Sequence, residues 1–552
     1  MSAIEILSWP FKSESMDNIN RDEKFLNYPV IYVLNGNKEA YIGETVYFKK
    51  RMKAHLKSRK NIDHINLIKH EAFNRSATFH LETKLINYFL GDEKYTLQNK
   101  SKTVNDFTHN YHNKPYYDQD LFKELWKKLH EQKLVDHELH VIENKDIFKL
   151  SPFKELSIEQ QDLKEKVLAF CEKQVKASSG EYGSLLVIEG EAGVGKSVVL
   201  SSIFNTIQEQ KSEASSNLYE TKNYLVVHHE EMLKTYKDIA RQVKHLSVSS
   251  FEKPTKLINK LDKENQKVDV VLVDEAHLLL TKPDKFNSFQ YENHLEELLK
   301  RAKVVIVIFD QDQVLKFKSL WGVAKLEEMK KLSTSAEVYP LTNQFRMKAN
   351  DAVINWINQF KSKVLLPLPK DDKYELKIFK TMEEMHAAII AKNQEFGLSR
   401  VVSTFDYLHK KDGETYYVTE SNGEYKLPWN STGSTKAWAE EQATINEVGS
   451  IYTIQGFDLN YVGVVLGPSV QYDAAKDEIV IDTSKYMDKG AYTGSEGIQN
   501  IAEAKEKIVL NSINILMKRG IHGLYIYASD KALREKLLND QKATRKNCPI
   551  QR

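Results

Sequence analysis

Two groups of residues in this sequence have the types and spacing that phosphate chemistry requires. The first is Gly190-Glu191-Ala192-Gly193-Val194-Gly195-Lys196-Ser197, which follows the apolar run SLLVIEG and precedes a helical pattern. Glycines in such a turn let backbone amides curl around phosphate oxygens. A lysine there neutralises the β- and γ-phosphates, and a serine hydroxyl at the helix N-terminus can ligate magnesium. Further on, VDVVLVDEAH ends a strand-like run in two adjacent acids, Asp274 and Glu275. Carboxylates at a strand end are suited to holding magnesium and polarising an attacking water. A glycine-rich turn that binds nothing has no structural need for Lys-Ser in that place, so ATP with Mg2+, or Mn2+, is the expected ligand.

The second group begins at VIYVLNGNKEAYIG, in which Tyr32 and Tyr41 lie on either side of an Asn-Gly turn signal. Alternation sets Tyr32 and Leu34 on one face and Val33 on the other. On these residues alone an ordinary hairpin is the favoured reading, because cross-strand aromatic pairs stabilise hairpins without chemistry. The following residues shift the balance. Thr45 is placed to cap a helix through VYFKKRMKAHL, where Arg51 and His55 stand four apart on one face. From Lys49 to Lys60 there are seven Lys or Arg and no acid, a pattern that is either a solvated basic face or a grip on phosphates. In FHLETKLINYFL, Glu82 falls in the stripe of Phe79, Ile86 and Phe89, and a carboxylate there needs a cationic partner or a metal.

The elements that must position these groups fall into three regions. Two short β-rich runs lead into helical stretches over about 26–115, a charged helical pattern follows, and then buried-type strands alternate with helices: SLLVIEG, YLVVHH, VDVVLVDEA, KVVIVIFDQ, YVGVVLGPS and GLYIYAS. Near-continuous apolar strands of this kind suit a parallel sheet covered on both faces. The polar, Gly/Ser/Thr-rich stretch near 405–445 interrupts that rhythm and reads as an insertion or long loop. At 552 residues and 41% hydrophobic content, the chain has room for roughly three or four units. Its 79 basic and 77 acidic side chains nearly cancel, and Cys171 and Cys548 are too few for a disulfide framework or cysteine-rich zinc site. No export signal and no apolar run of membrane-spanning length is read, and a cytoplasmic location is expected.

Over about residues 151–545 the chain resembles superfamily 1 helicases, and within them a Schlafen-related bacterial family of poorly defined function. The segments LSIEQQ, LVVHHEEMLKTY, VDEAH, FDQDQ, LTNQFRM, SIYTIQGFDLNYVGVVLG and ILMKRGIHGLYIY occur in that family's order. The resemblance implies that Gln160 contacts adenine, Gln313 senses the γ-phosphate, and Arg346 and Arg519 stabilise charge on the transferring phosphoryl group. It also places Gln455, Gly456 and Asp458 where nucleotide state meets a nucleic-acid groove. Phe309 departs from the glycine common before the acid of FDQDQ.

Residues 26–110 resemble the GIY-YIG nucleases through the tyrosine pair, Arg51, His55, Glu82 and the asparagine of LQNKS, with Val30 in place of the first glycine. The resemblance implies Glu82 as the single magnesium ligand, Tyr32 as general base or water-positioning group, and Tyr41 as its hydrogen-bonding partner. Arg51 would neutralise the scissile phosphate, His55 would assist proton handling and Asn99 would orient the site. A base role requires a lowered Tyr32 pKa, which Arg51 and the metal would supply.

The expected fold is a multidomain α/β chain: an N-terminal extension (1–25), a small α+β GIY-YIG-like nuclease domain (26–115) and a helical linker (116–150). Two RecA-like parallel-sheet domains follow (151–340 and 341–545), then a tail (546–552). The expected function is an ATP-dependent nuclease-helicase acting on DNA, in bacterial anti-phage defence, with no membrane partner. An RNA-directed enzyme, or a remodeller or sensor whose nuclease-like domain only docks, are the alternatives.

Overall fold

The computed structural model describes residues 4–15, 27–99, 111–177, 180–190, 193–285, 288–310, 313–319, 323–341, 347–410, 412–431, 438–454, 457–495 and 498–546. Of the expected site residues, Glu191, Ala192, Arg346, Gln455 and Gly456 lie outside them. The chain forms two compact units. One comprises residues 1–178, 197–253 and 268–272, and the other 179–196, 254–267 and 273–552.

In the first unit, β1 (Glu5–Pro10), β2 (Val30–Asn35), β3 (Glu39–Thr45), β4 (His64–Lys69) and β5 (Thr96–Leu97) form one sheet in the order β1-β4-β2-β3-β5. The Asn-Gly signal holds: β2 and β3 pair antiparallel, with Tyr32 opposite Gly43. Being central, β2 is buried on both faces, and Val30, Tyr32 and Leu34 join Tyr41, Phe48 and Met52 in one apolar cluster. Helix α1 (Phe48–Ser58) supplies the last two of these and α2 (Arg75–Asp92) packs against β3. Thr45 is not the helix cap expected from sequence. Tyr47 occupies that position, and Thr45 Oγ1 accepts from the Tyr47 amide at 3.0 Å, bracing the turn before the helix.

The charged stretch beyond residue 115 is helical, as its pattern predicts. Helix α3 (Phe122–Glu131) buries Phe122, Leu125, Trp126 and Leu129, and α4 (Ile158–Lys176) opens on a capping box between Ser157 and Gln160. A parallel pair, Asn223–Val227 with Phe251–Glu252, belongs to the same unit. The sheet edge also meets this part of the chain. Leu97 of β5 bridges to Val243, and Lys244 Nζ lies 2.9 Å from Glu39 Oε2.

In the second unit, β6 (Ser184–Gly190) is flanked by two parallel partners, β8 (Ala302–Phe309) and β9 (Ala336–Leu341). Strand β7 (Val268–Asp274) ends at the expected acid, with its last two residues in this unit. A second sheet is parallel throughout, in the order β10-β14-β13-β11-β12. These are Glu375–Ile378 (β10), Arg400–Ser403 (β11), Val448–Gly449 (β12), Leu459–Leu466 (β13) and Gly520–Ala528 (β14). Both faces are apolar. Val462, Val464 and Leu466 pack with Trp356, Ile508 and Leu516 on one face, and Tyr461 and Val465 with Met385, Ile389 and Tyr525 on the other. Burial on both faces is why these strands read as unbroken apolar runs.

The stretch near 405–445 is not simply a loop. Tyr417–Thr419 and Lys426–Pro428 pair antiparallel, and Val418, Leu427 and Trp429 join the core. Exposed polar residues such as Asn422 and Glu424, with Gly423, form the turn between these strands, and the apolar ones carry the packing.

Candidate nucleotide and phosphodiester sites

The glycine-rich loop expected to bind nucleotide leaves β6 at Gly190, and a helix begins at Lys196. Gly193 and Gly195 have φ of 94° and 75°, the left-handed region that a side chain disfavours, so the glycines are conformational requirements. Lys196 is buried. Its Nζ donates to Gly190 O at 2.7 Å and to Asp310 Oδ2 at 3.0 Å. Gln313 Nε2 donates to the same carboxylate oxygen at 2.7 Å. Burial pushes the Asp310 carboxyl up, but Lys196, His277 and Gln313 together outweigh it and hold its pKa below the ordinary value.

Asp274 Oδ1 accepts from the Glu275 amide at 2.9 Å, and Glu275 itself has φ of 52°. A non-glycine residue in that region is strained, and such strain concentrates at functional sites. Glu275 Oε2 lies 3.2 Å from His277 Nε2. His277 is fully buried, and burial lowers its pKa, with Lys196 and Arg519 adding to the effect against Glu275 and Asp310. Arg519 is 2% exposed and donates from Nη1 to Phe457 O at 3.1 Å. Helix Ile501–Met517 reaches back through Asn511, whose amide donates to Val314 O just beyond Gln313.

Within this set the structure brings Lys196, Asp310 and Gln313 together. Asp310 is the residue that sequence reasoning does not single out, although FDQDQ carries it. Gln160 accepts from the Ser157 amide through Oε1 at 3.0 Å, which gives it a capping role whatever else it binds. Ser197 lies in the other compact unit, where its carbonyl accepts from Tyr236 Oη at 3.3 Å.

The N-terminal group converges more closely. Tyr32 Oη is 2.9 Å from His55 Nε2. Arg51 donates from Nε to Tyr32 Oη at 3.3 Å and from Nη2 to Tyr41 Oη at 3.4 Å. The tyrosine rings are 6.2 Å apart between centroids. Gly43 is dictated by this packing, since a Cβ there would lie 2.3 Å from Tyr32 Oη. Asn99 pins the Tyr41 strand, accepting from Ile42 N at 3.0 Å and donating to Ile42 O at 2.8 Å. Glu82, on α2, is 9% exposed.

The electrostatics correct one expectation. Tyr32 is completely buried, and burial, with Tyr41 and Glu82, raises its pKa far above the ordinary phenol value against the pull of Arg51. The protein groups alone therefore do not supply the lowered pKa a base needs: Arg51 lies near enough to help, but desolvation of a phenolate at this position is the larger effect. His55 is held neutral. Burial lowers its pKa to about 3, and Arg59 and Arg51 contribute. Arg59, which sequence reasoning counts only among the basic run, places Cζ 3.5 Å from the centroid of the Tyr41 ring and donates from Nε to His55 Nδ1 at 3.2 Å.

Around this cluster, Lys49, Lys50, Lys53, Lys57 and Lys60 are exposed. Helix α1 has no acid in its first turn. Lysines at that end oppose the helix dipole, so they cost the helix some stability instead of adding to it.

A metal fits the second site in one form only. Among the described residues no group of three or more His, Cys, Asp or Glu is placed to hold an ion. A single buried carboxylate, Glu82, suits magnesium, which keeps most of its water ligands, and does not suit zinc.

Comparison with known proteins adds the following. Residues 183–530 match the family described as Schlafen group 3, DNA/RNA helicase domain. The chain is 42% identical over 415 residues to the uncharacterized protein YPL245W of Saccharomyces cerevisiae, a match covering 70% of this chain and 91% of that relative. It is 28% identical over 152 residues to origin recognition complex subunit 1 of Plasmodium falciparum, covering 26% of this chain and 12% of that one. Among solved structures, the Pif1 helicase from Candida albicans is 13% identical and covers 70% of this chain and 99% of its own, with a TM-score of 0.28. The Pif1 helicase from Bacteroides in complex with ADP-AlF3 and ssDNA is 11% identical, covering 71% and 98%, with a TM-score of 0.26. No helix among the described residues is long and apolar enough to cross a membrane.

Proposed function

Because the chain belongs to the Schlafen group 3 DNA/RNA helicase family, we propose that it is an ATP-driven nucleic-acid motor joined to a magnesium-dependent phosphodiester-cleaving site. In the motor, Gly190 to Ser197 cradle the triphosphate, Lys196 exchanges Asp310 for the β/γ-phosphates, and Ser197 and Asp274 hold magnesium. Glu275 orients the attacking water. Gln313 senses the γ-phosphate, and Arg346 and Arg519 stabilise its transfer. Gln160 contacts the adenine, and Gln455, Gly456 and Asp458 couple nucleotide state to the groove. Two of these roles carry a structural motive: the Lys196–Asp310 pair keeps a buried cation compensated, and the strained Glu275 backbone is the kind of geometry a functional carboxylate retains.

In the N-terminal site, Glu82 holds the magnesium, which when bound neutralises charge at the scissile phosphate. Arg51, spanning both tyrosines yet exposed, turns its guanidinium to the phosphate. Tyr32, buried beneath Arg51, keeps its proton and positions that guanidinium, and does not act as the base. Asn99 keeps Tyr41 in register, and the lysines of α1 hold the backbone on either side. The observation that carries this reading is the convergence of Tyr32, Tyr41, Arg51 and His55, four residues of two strands and a helix joined by contacts of 2.9 to 3.4 Å. A hairpin kept only for stability needs no side-chain polar network of this kind, with three of its four members buried.

DNA is the proposed substrate, with RNA the alternative, since phosphate chemistry does not distinguish the sugars. The relative at 42% identity is from a yeast, so the proposal is nucleic-acid processing, and phage defence is not part of it.

A second reading is that the N-terminal sheet docks and does not cut. It is favoured by the tie of β5 and Glu39 to Val243 and Lys244. One experiment separates the two: the protein is incubated with plasmid, linear and single-stranded DNA and with RNA, with and without magnesium and ATP, beside Lys196→Ala. Magnesium-dependent cleavage and nucleic-acid-stimulated ATP hydrolysis, the latter lost in Lys196→Ala, are expected. No cleavage of any substrate sinks the cutting role, and no hydrolysis with any nucleic acid sinks the motor.

A further inference from the structure

Arg59 follows helix α1 directly and is held on three sides. Its Cζ stacks over Tyr41, its Nε donates to His55 Nδ1, and its Nη1 donates to Gln98 Oε1 at 3.1 Å and Gln98 O at 3.4 Å. Gln98 is itself fixed, donating to Glu39 Oε2 at 2.6 Å and Lys60 O at 2.9 Å. Gln98 and Asn99 are consecutive, so one short segment sets both Arg59 and the Tyr41 strand.

A guanidinium has five donors and no acceptor, so the Arg59–His55 hydrogen bond has only one direction. Nδ1 must be the bare nitrogen. His55 is neutral in this environment, and its proton therefore sits on Nε2 and is donated to Tyr32 Oη. Arg51 Nε donates to the same oxygen. With two donors arriving, Tyr32 Oη is occupied as an acceptor and the phenol keeps its own proton.

We infer that Arg59 is a positioning residue of the cleavage site: by donating to His55 Nδ1 it fixes the Nε2–H tautomer, so that His55 donates to Tyr32 Oη beside Arg51 and the buried phenol holds the exposed Arg51 guanidinium in place. This rests on the cleavage reading given above. The array runs from Arg59 to His55 to Tyr32, where Arg51 also donates, and every donor along it is specified. A solvated basic residue, the ordinary reading of an arginine in a lysine-rich run, needs neither a stacked ring nor a buried imidazole acceptor.

The test combines a spectrum with kinetics on the full-length protein. With nitrogen-15-labelled histidine, the His55 ring signals are assigned by their loss in His55→Gln. The wild-type protein is expected to show the Nε2–H form with Nδ1 shifted as a hydrogen-bonded lone pair. Arg59→Met, and Arg59→Lys, which keeps the cation but not the fork, should both move Nδ1 to the position of a free acceptor. If the wild-type ring is protonated at Nδ1, or neither variant moves the signal, the inference is overturned. In cleavage assays Arg59→Met should lower kcat by about tenfold, the order expected when a positioned group is misaligned, with KM little changed. An unchanged kcat in a cutting protein also overturns it. A wild-type protein that does not cut would sink the cleavage reading and leave the spectrum to judge the hydrogen-bond array.

Discussion

Lys196 Nζ lies 3.0 Å from Asp310 Oδ2, with both side chains no more than 6% exposed. Lys196, the lysine proposed to meet the phosphates, is therefore already compensated by a carboxylate. Asp310→Ala should strip that compensation and destabilise the protein by about 3–5 kcal/mol, the cost of stranding one partner of a buried pair. Saturating ATP and magnesium should recover much of it, because phosphate replaces the carboxylate beside Lys196. Thermal unfolding with and without nucleotide reads both effects, and an equal loss in the two conditions would show that Lys196 does not meet the phosphates.

Gly43→Ala should cost about 1–3 kcal/mol, the range for overpacking, since the added Cβ falls on the Tyr32 hydroxyl. Either Tyr32 or the strand must shift, so cleavage should fall further than stability. Comparing the unfolding temperature with the cleavage rate checks this.

His55 gives a pH signature. Its pKa is depressed to about 3 in the fold, against roughly 6.5 when unfolded. Its contribution to stability is complete above the unfolded value. As pH falls from there towards the folded value, only the unfolded chain takes up the proton, and stability drops by about 1.4 kcal/mol per pH unit. His55→Gln should unfold with a weaker dependence on pH across that window. The comparison is of unfolding temperatures at neutral and mildly acidic pH, and identical dependence in the two proteins would contradict the assignment.

Exposed lysines make a different prediction. Replacing Lys49, Lys50 and Lys53 together by alanine should weaken nucleic-acid binding without sequence preference. It should also make the salt dependence of affinity shallower, by about 0.9 in the log–log slope for each duplex phosphate that these lysines neutralise. Fluorescence anisotropy across a salt series measures it. Parallel salt slopes would return these lysines to a solvated face.

Much of the motor was legible because its signals are local. Gly193 and Gly195 are where the backbone turns left-handed, and β6 and β8 read as apolar runs because both faces of their sheet are covered. The hairpin was legible from Asn35-Gly36, where the chain turns between β2 and β3, and Arg51 and His55 from helical spacing. What was not legible depends on burial or on distant contacts. Tyr32 looks like a phenol that Arg51 should acidify, and only its place on a central strand between β4 and β3 shows that desolvation dominates. Arg59 is hidden in a basic run, its role visible only when Tyr41 and Gln98 arrive from other parts of the sheet. Asp310 reads as one acid among several until Lys196 is beside it. The 405–445 stretch hides core residues such as Val418, Leu427 and Trp429 among many polar ones, so composition points to a loop where a hairpin forms.

The most direct test of the account is Glu82→Ala assayed with magnesium on plasmid DNA and, in parallel, for nucleic-acid-stimulated ATP hydrolysis. Cleavage should fall by at least about a hundredfold, the order lost when a charge-stabilising group is removed, while ATP hydrolysis is retained. A Glu82→Ala protein that cuts as fast as its parent would contradict it.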